Sequence, residues 1–593
     1  MKKMVLLFCS MLYLTGTGAG AAEKEAATSA IHPERGRAPF VRLATMANNA
    51  AQARAINNLA PGEREARIEQ LTRWYVHFNC PGSKDFPFGN PSKGPNSPDT
   101  TLADRLVARG ALVSNYRNGS YISQARRGEE LFSEAPALER EAPLAILTWW
   151  PGHKAADAGS PDDAGARLAA ALEPAATTVR VTSPAAYKPG VAPVTWPYLP
   201  SRGKGGAAGA MYSESTADFV SWVRVGDEMM RVLQVGGAAG AIELTVTRGC
   251  FGTAPARHAR GARVLSPVYI GSIRAVSWDK HLAGSPPVNH PDSPLRYAVM
   301  AWQSAPEDPR RDGAGWLARR IAATFGAGQP APYFQGYNTV WLDITSCSPY
   351  NTADAYGQPV MPWDEGSQTP VSAERWTACQ IAKIEALRRR LAAMGYPGLK
   401  MTANNLAYNG GPDRELRIRL MDRGGLDGAA LEHWLQRTAT WPAAMEQHFY
   451  IQQHDLAAIY WVKTGELDRK FNTLQYKRFT YGSYLLGWNP AAQRPCLASH
   501  FGLQAPDELY FRDFGKPLRP AARLADLSVT DGVYRRDFAG GAVLVNPTQR
   551  RIRCELNGTY LDVTVARGGQ ASPRVNSVEI GPADAAFVLN PRD

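Results

Sequence analysis

Two acidic residues stand where short apolar runs end. Asp343 follows Val340, Trp341 and Leu342 in the stretch Tyr337-Asn-Thr-Val-Trp-Leu-Asp-Ile-Thr345, and Glu432 closes Gly425-Leu-Asp-Gly-Ala-Ala-Leu-Glu432, 89 residues later. Continuous apolar runs mark parallel strands covered on both faces, and in barrels built from such strands the reactive groups sit where the strands end. Two carboxylates delivered in this way can divide acid/base work, one giving a proton while the other stays ionised. The competing structural reading is that each acid caps the helix that follows its strand. A βαβ repeat takes about 30 or more residues, so the spacing fits two repeats and puts the carboxylates on non-adjacent strands of one barrel mouth.

Polar and aromatic residues at other run ends complete a candidate site. Gly398-Leu-Lys-Met-Thr-Ala-Asn-Asn405 ends in two amides, Asn404 and Asn405, whose neutral donors and acceptors suit sugar hydroxyls; the alternative is an Asx turn into the next loop. Tyr116 lies in the run 111–118, and Trp434 follows Glu432 by two positions. Trp149 and Trp150 precede Pro151 and could line a sugar-binding wall. Adjacent strand residues face opposite sides, so one of the two belongs to a core.

The elements that must position these groups alternate strand and helix, the signature of an α/β fold. Runs at 39–45, 73–79, 111–118, 337–345, 398–405, 425–432, 456–462 and 481–488 give eight strands, with Asp343 on the fourth and Glu432 on the sixth. The expected architecture is a (β/α)8 TIM barrel interrupted by an all-β module, with a C-terminal antiparallel β-sandwich. The expected division is a signal peptide at 1–21, barrel at 38–154 and 269–524, inserted module at 155–268 and sandwich at 525–593. Residues 373–394 form a strong amphipathic helix with Ile384, Leu387, Leu391 and Met394 on one stripe, stopped by Gly395 and Pro397. The Pro/Gly/Asp-rich segment 346–372 is long enough for a functional loop over the site.

At 593 residues the chain exceeds one core, so two or three domains are expected. Lys2 and Lys3, the apolar run from Met4 to Leu14 and the Ala19-Gly20-Ala21 site read as a cleaved secretory signal, which predicts a secreted or periplasmic protein without a transmembrane segment. Six cysteines remain beyond it, at 80, 250, 347, 379, 496 and 554, with no C-x-x-C pair and no accompanying His pair, so no metal and no cofactor is expected. The net charge of +12 comes from Lys and Arg spread along the chain without a dense basic block, which argues against nucleic acid as a partner. Nothing in the sequence assigns an oligomeric state.

The strand-end acid in Asn338-Thr-Val-Trp-Leu-Asp343, the segment from Asp427-Gly428 to Glu432, the Tyr484-Leu-Leu486 run and the terminal Val545-Asn546-Pro547 resemble hypothetical glycosyl hydrolase families with a TIM barrel, related to endo-α-1,4-polygalactosaminidases and dextranase-like glycosidases. The resemblance covers 40–150 and 268–593, and departs from the family pattern at Thr339, where a Gly is common. It implies a secreted glycoside hydrolase acting on a polysaccharide or oligosaccharide, with retention and Asp343 as nucleophile. Within the module, 225–232, 244–249 and 252–261 resemble a small β motif of phage tail and structural proteins. The alternative function is a non-catalytic polysaccharide-binding or envelope-assembly protein that uses the barrel as a platform. Glu432, between an apolar run and His433-Trp434, is expected to hold the proton; Asp343, followed by Thr345 and Ser346, is expected to stay ionised.

Overall fold

The computed structural model describes residues 38–46, 50–80, 98–118, 165–182, 221–250, 252–267, 309–324, 338–343, 361–404, 414–461, 474–503 and 505–591, except 239–240, 368, 424–425, 433, 436–437, 531 and 566–570. Short pieces at 121–123, 144, 149–150, 195–197, 216–218, 269–270, 296–298, 352–353 and 406 are also described. The signal segment, Asn405 and His433 lie outside these residues. Chain contacts divide the protein into two units: one holds Asn118–Ile321 and Ser346–Met394, the other Gly18–Arg117, Ala322–Thr345 and Gly395–Asp593.

The second unit contains a closed parallel barrel of eight strands: β1 (Leu43–Met46), β2 (Tyr75–Cys80), β3 (Leu112–Asn118), β4 (Thr339–Asp343), β5 (Lys400–Ala403), β6 (Gly428–Ala430), β7 (Ala458–Trp461) and β8 (Cys496–Phe501). They pair in that order, and β8 returns to β1 with Leu43 opposite Leu497. The helices of this unit used below are α1 (Ala50–Asn57), α2 (Pro61–Trp74), α3 (Pro98–Ala108), α4 (Arg414–Arg423), α5 (Trp441–Gln453) and α6 (Leu474–Gly487). Strand entry is pinned by polar groups. Asn338, just before β4, accepts from the Val113 amide at 2.8 Å and donates to the Ala111 carbonyl at 2.9 Å, fixing β4 against β3. Asp427, just before β6, accepts from the Met401 amide at 2.9 Å and pairs with Lys400 at 3.4 Å. That acid therefore fixes register at the barrel end opposite the candidate site.

The eighth strand differs from the expectation. The run from Tyr481 to Trp488 is not a strand: its residues to Gly487 belong to α6, and the barrel closes with Cys496–Phe501. Ten consecutive-face residues of α6, from Tyr476 to Gly487, are buried, so the helix shows no polar stripe. A helix buried all round reads like a buried strand when only apolar character is followed. The C-terminal sheet covers its outer side, and a Cβ at Gly482 would lie 2.6 Å from the Ala585 Cβ, so only glycine fits there.

That sheet is antiparallel with six strands, β9 (Ser528–Thr530), β10 (Val533–Phe538), β11 (Gly541–Asn546), β12 (Ile552–Asp562), β13 (Arg574–Ile580) and β14 (Asp584–Leu589), in the order β9-β10-β11-β14-β12-β13. The expected sandwich is thus a single hydrogen-bonded sheet. Along β12 the pairing with β13 shifts register between Glu555 and Tyr560, and the far end also pairs with β14. The sheet has a core of Val533, Leu544, Ile552, Ile580 and Val588. Arg536 of β10 reaches back to α6 and donates to the carbonyls of Leu485 at 2.9 Å and Leu486 at 2.7 Å. These are last-turn carbonyls that lack intrahelical partners, so the guanidinium caps the helix.

The first unit carries the β-rich module. Strands Arg167–Leu168, Thr178–Thr182, Ser221–Val225, Glu228–Ala238 and Ala241–Cys250 form a five-stranded antiparallel sheet. It has its own core of Leu168, Val179, Val181, Val223, Met230, Ile242, Leu244 and Val264. The residues resembling the phage motif are explained by Glu228, which is buried and accepts from Arg248 Nε at 2.5 Å and Nη2 at 2.7 Å, from the Ala256 amide at 3.0 Å and from His258 Nε2 at 2.8 Å. Arg248 donates further to the carbonyls of Glu173, Ala176 and Ala256. The motif residues thus tie three loops around one carboxylate.

The expected amphipathic helix is present as Ala373–Ala393, with Ser372 accepting from the Arg375 amide as its N-cap. Ile384, Leu387 and Leu391 are buried, whereas Met394 at its end is exposed.

Candidate functional site

The C-terminal ends of β4, β5 and β6 bring together the chemistry-bearing residues of the barrel unit. Asp343 is the last residue of β4, and Leu342 before it is paired with Ala403 of β5. Asn404 follows that pair, and its amide N–H donates to the Leu342 carbonyl at 2.9 Å, extending the ladder one residue beyond β5. On the other side Ala403 pairs with Ala429 of β6, and Glu432 follows that strand by two residues. The Asn404 side chain closes the gap: Nδ2 donates to Glu432 Oε2 at 2.5 Å. A charge-assisted bond of this kind is short and strong.

Glu432 sits in a turn held from several directions. The Leu431 amide donates to Ile459 of β7 at 2.8 Å, the Trp434 amide to Leu431 at 3.2 Å, and the Tyr476 hydroxyl of α6 to the Trp434 carbonyl at 3.1 Å. Leu435, buried in the same turn, has φ of 59°. Left-handed backbone at a branched non-glycine residue costs on the order of 1 kcal/mol or more and persists where the surroundings impose it. Asn404 is buried, while Glu432 keeps part of its surface open.

Strand parity defines what lies beneath. Trp341 of β4 and Trp461 of β7 meet with ring centroids 6.0 Å apart, although β5 and β6 separate their strands. The contact therefore crosses the barrel interior. Thr402 is opposite Trp341, and Gly428 is opposite Thr402, so these small residues share that interior face. A Cβ at Gly428 would meet Thr402 Cγ2 at 2.9 Å.

The remaining predicted residues fall in different places. Trp434 is buried in an aromatic cluster with Tyr460 at 4.8 Å, His448 at 5.5 Å and Tyr484 at 6.5 Å. Tyr460 alternates with the interior residue Trp461, so this cluster packs on the outer, helical side of the barrel. Trp149 is buried. It packs in the first unit beneath the guanidinium of Arg224, which lies 5.0 Å from its ring centre and is ion-paired with Glu365. Tyr116 is on β3, and Trp150 is paired with Ser266; their side chains, like that of Asp343, are outside the described residues.

One interior polar group was missed at the level of sequence. His77 Nε2 is 3.0 Å from Ser114 Oγ, which donates to Asn79 Oδ1 at 2.7 Å, all three being buried. Since the Ser114 proton goes to Asn79, His77 Nε2 is the donor. Burial pushes the His77 pKa down to about 3. The signal was available: in Tyr-Val-His-Phe-Asn-Cys, His77 and Asn79 alternate with apolar residues and so share one strand face.

No protein-family model matches the chain, and no curated protein matches it. Among solved structures it is similar to a family GH13_31 enzyme, with TM-score 0.36 and 10% identity over 95% of this chain and 100% of that one. It is similar also to the Nostoc punctiforme debranching enzyme, with TM-score 0.32 and 10% identity over 93% of this chain and 100% of that one. Bacillus licheniformis trehalose-6-phosphate hydrolase matches with TM-score 0.31 and 9% identity over 94% and 98% of the two chains. The closed barrel stands on its own strand pairing and does not depend on these likenesses.

Proposed function

We propose that this chain is a glycoside hydrolase that cleaves a polysaccharide or oligosaccharide with Asp343 and Glu432 as its carboxylate pair. The observation that carries the reading is the placement of both acids at the C-terminal ends of barrel strands, on β4 and just past β6, with Asn404 between them bonded to Glu432. Strand ends on that face are where parallel barrels carry their chemistry. Two carboxylates can open a glycosidic bond, one protonating the leaving oxygen and the other attacking the anomeric carbon or activating water. The sequence resemblance to dextranase-like enzymes favours retention with Asp343 as nucleophile. The strained turn at Leu435 fits a backbone held for the sake of Glu432. Export through the Lys2–Ala21 segment places the substrate outside the cytoplasm, and mass spectrometry of the mature protein should find it beginning near Ala22.

The test is release of reducing ends from a panel of bacterial exopolysaccharides. Release that disappears in Asp343→Asn supports the hydrolase. Binding of a polysaccharide without release in every case would favour the platform reading instead.

A further inference from the structure

We propose that Asn404 is a positioning residue which decides the oxygen of Glu432 that carries the catalytic proton. This deepens the hydrolase reading and rests on it. Asn404 is joined to Glu432 and to the residue before Asp343 by different parts of itself. Its backbone N–H is bonded to the carbonyl of Leu342, the residue before Asp343, at 2.9 Å, and its side-chain Nδ2 to Glu432 Oε2 at 2.5 Å. With only 3% of its surface exposed, the side chain has little room to turn. An amide NH2 only donates, and a carbonyl oxygen accepts better than a hydroxyl oxygen, so the bond favours Oε2 as the unprotonated oxygen and directs a proton held by Glu432 to Oε1. In the acid step the Oε1–H bond breaks as the proton passes to the glycosidic oxygen, and the C–O bond electrons leave with that oxygen. Glu432 is left as a carboxylate whose Oε2 keeps the amide bond. Asn404 thus favours the ionised product of the step and fixes the direction of the donating oxygen.

Among described residues, the other titratable groups on the strands packed around Glu432 are few. They are Tyr460 on β7 and the Lys400–Asp427 pair, which lies at the far end of β5 and β6, while Tyr476 and Tyr484 of α6 and His448 of α5 pack against the turn that carries Glu432 and Asp343 ends β4. The donor that disappears on substitution is therefore the amide itself.

The experiment uses the full chain in three variants, Asn404→Ala, Asn404→Asp and Asn404→Ser, the last keeping a smaller donor as a check on folding. Glu432 is followed by carboxyl ¹³C NMR titration, assigned with Glu432→Gln, and the pH dependence of kcat/KM is measured on the most active substrate of the panel. Loss of the donor should raise the Glu432 midpoint by about one pH unit in Asn404→Ala, because a bond to the charged form favours that form. Asn404→Asp should raise it further through like charge, and Asn404→Ser should fall between Ala and wild type. The alkaline limb of kcat/KM should move by the same amount, with kcat down about tenfold or more and KM little changed. An unmoved or lowered midpoint in Asn404→Ala overturns the proposal, as does a rise in KM with kcat intact, which would make Asn404 a sugar-binding group. A wild type that hydrolyses nothing defeats the hydrolase reading, whereas a hydrolase with an unmoved Glu432 midpoint defeats this inference alone.

Discussion

Trp341 and Trp461 meet edge to face across the barrel interior, their planes at 86°. Each is almost fully buried, and together they fill the space beneath the strand ends that carry Asp343 and Glu432. Emptying that space should cost both stability and geometry. Trp461→Ala is expected to destabilise the protein by about 3–5 kcal/mol, the usual range for deleting a buried aromatic ring. A urea midpoint that hardly shifts would show that the ring is not part of the packing.

How much of this was legible in the sequence depended on whether a residue's neighbours lay near it in the chain. The apolar runs that deliver Asp343 and Glu432 are local, and their strands are the fourth and sixth of the barrel, as the spacing implies. Asn404 was found as a strand-end amide, but its bond to Glu432 depends on the β5–β6 register, which no local pattern encodes. Trp434 is expected among the substrate-binding residues, but its ring belongs to a cluster whose other members, His448, Tyr460 and Tyr484, come from α5, β7 and α6. The error at Tyr481–Gly487 had a different cause, since burial on every side erases the periodicity that separates a helix from a strand. Glu228 was visible only as part of a resemblance, and its donors Arg248, Gly249, Ala256 and His258 explain why the motif is spread over three segments.

Two buried histidines among the described residues of the barrel unit predict a pH dependence of stability. Burial pushes both His77 and His448 down to about 3, and in His448 the nearby Arg536 adds to the effect while the bond to the Tyr484 carbonyl opposes it. The unfolded chain takes up these protons near 6.5, and the folded chain does not until about 3. Their neutral burial therefore favours the fold fully above 6.5, and that advantage is lost progressively as pH falls toward 3. Each histidine contributes a slope of up to about 1.4 kcal/mol per pH unit in that window. Denaturant titrations from pH 4.5 to 7.5 should show stability rising with pH, and His448→Gln, which keeps a neutral donor for Tyr484, should flatten the rise. An equally steep profile in that variant would remove His448 from the account.

Glu228 predicts the opposite chemistry in the module, an acid that must stay ionised. Burial raises its proton affinity, but the bonds from Arg248, Ala256 and His258 outweigh burial and hold the carboxyl below its ordinary value of 4.5. The resulting stabilisation is present above 4.5 and disappears as pH falls through the depressed folded value. Glu228→Gln should imitate the acid form at neutral pH by leaving Arg248 without its buried partner, a change that costs about 3–5 kcal/mol. Hydrogen exchange of the sheet 221–250 should then speed up at least a hundredfold. Protection equal to wild type would mean that the network is dispensable.

The division of labour between the two candidate acids gives the most direct test of the site. Glu432 follows the apolar β6 and lies in a turn bounded by buried Leu431, Trp434 and Leu435, a setting suited to a group that must hold and release a proton. Asp343 ends β4 and is followed in sequence by Thr345 and Ser346, residues able to stabilise an ionised carboxylate. A general acid contributes about 10²–10⁴-fold, and that help becomes largely unnecessary when the leaving group is already a good one. Glu432→Ala should therefore lose most activity on the natural polysaccharide and keep much of it on an aryl glycoside with an acidic phenol. Asp343→Ala should be inactive on both, because no leaving group replaces a nucleophile. Rescue of Asp343→Ala but not Glu432→Ala by the aryl substrate would exchange the two roles. Full activity in both variants would make the pair structural, each acid serving the strand end it stands on.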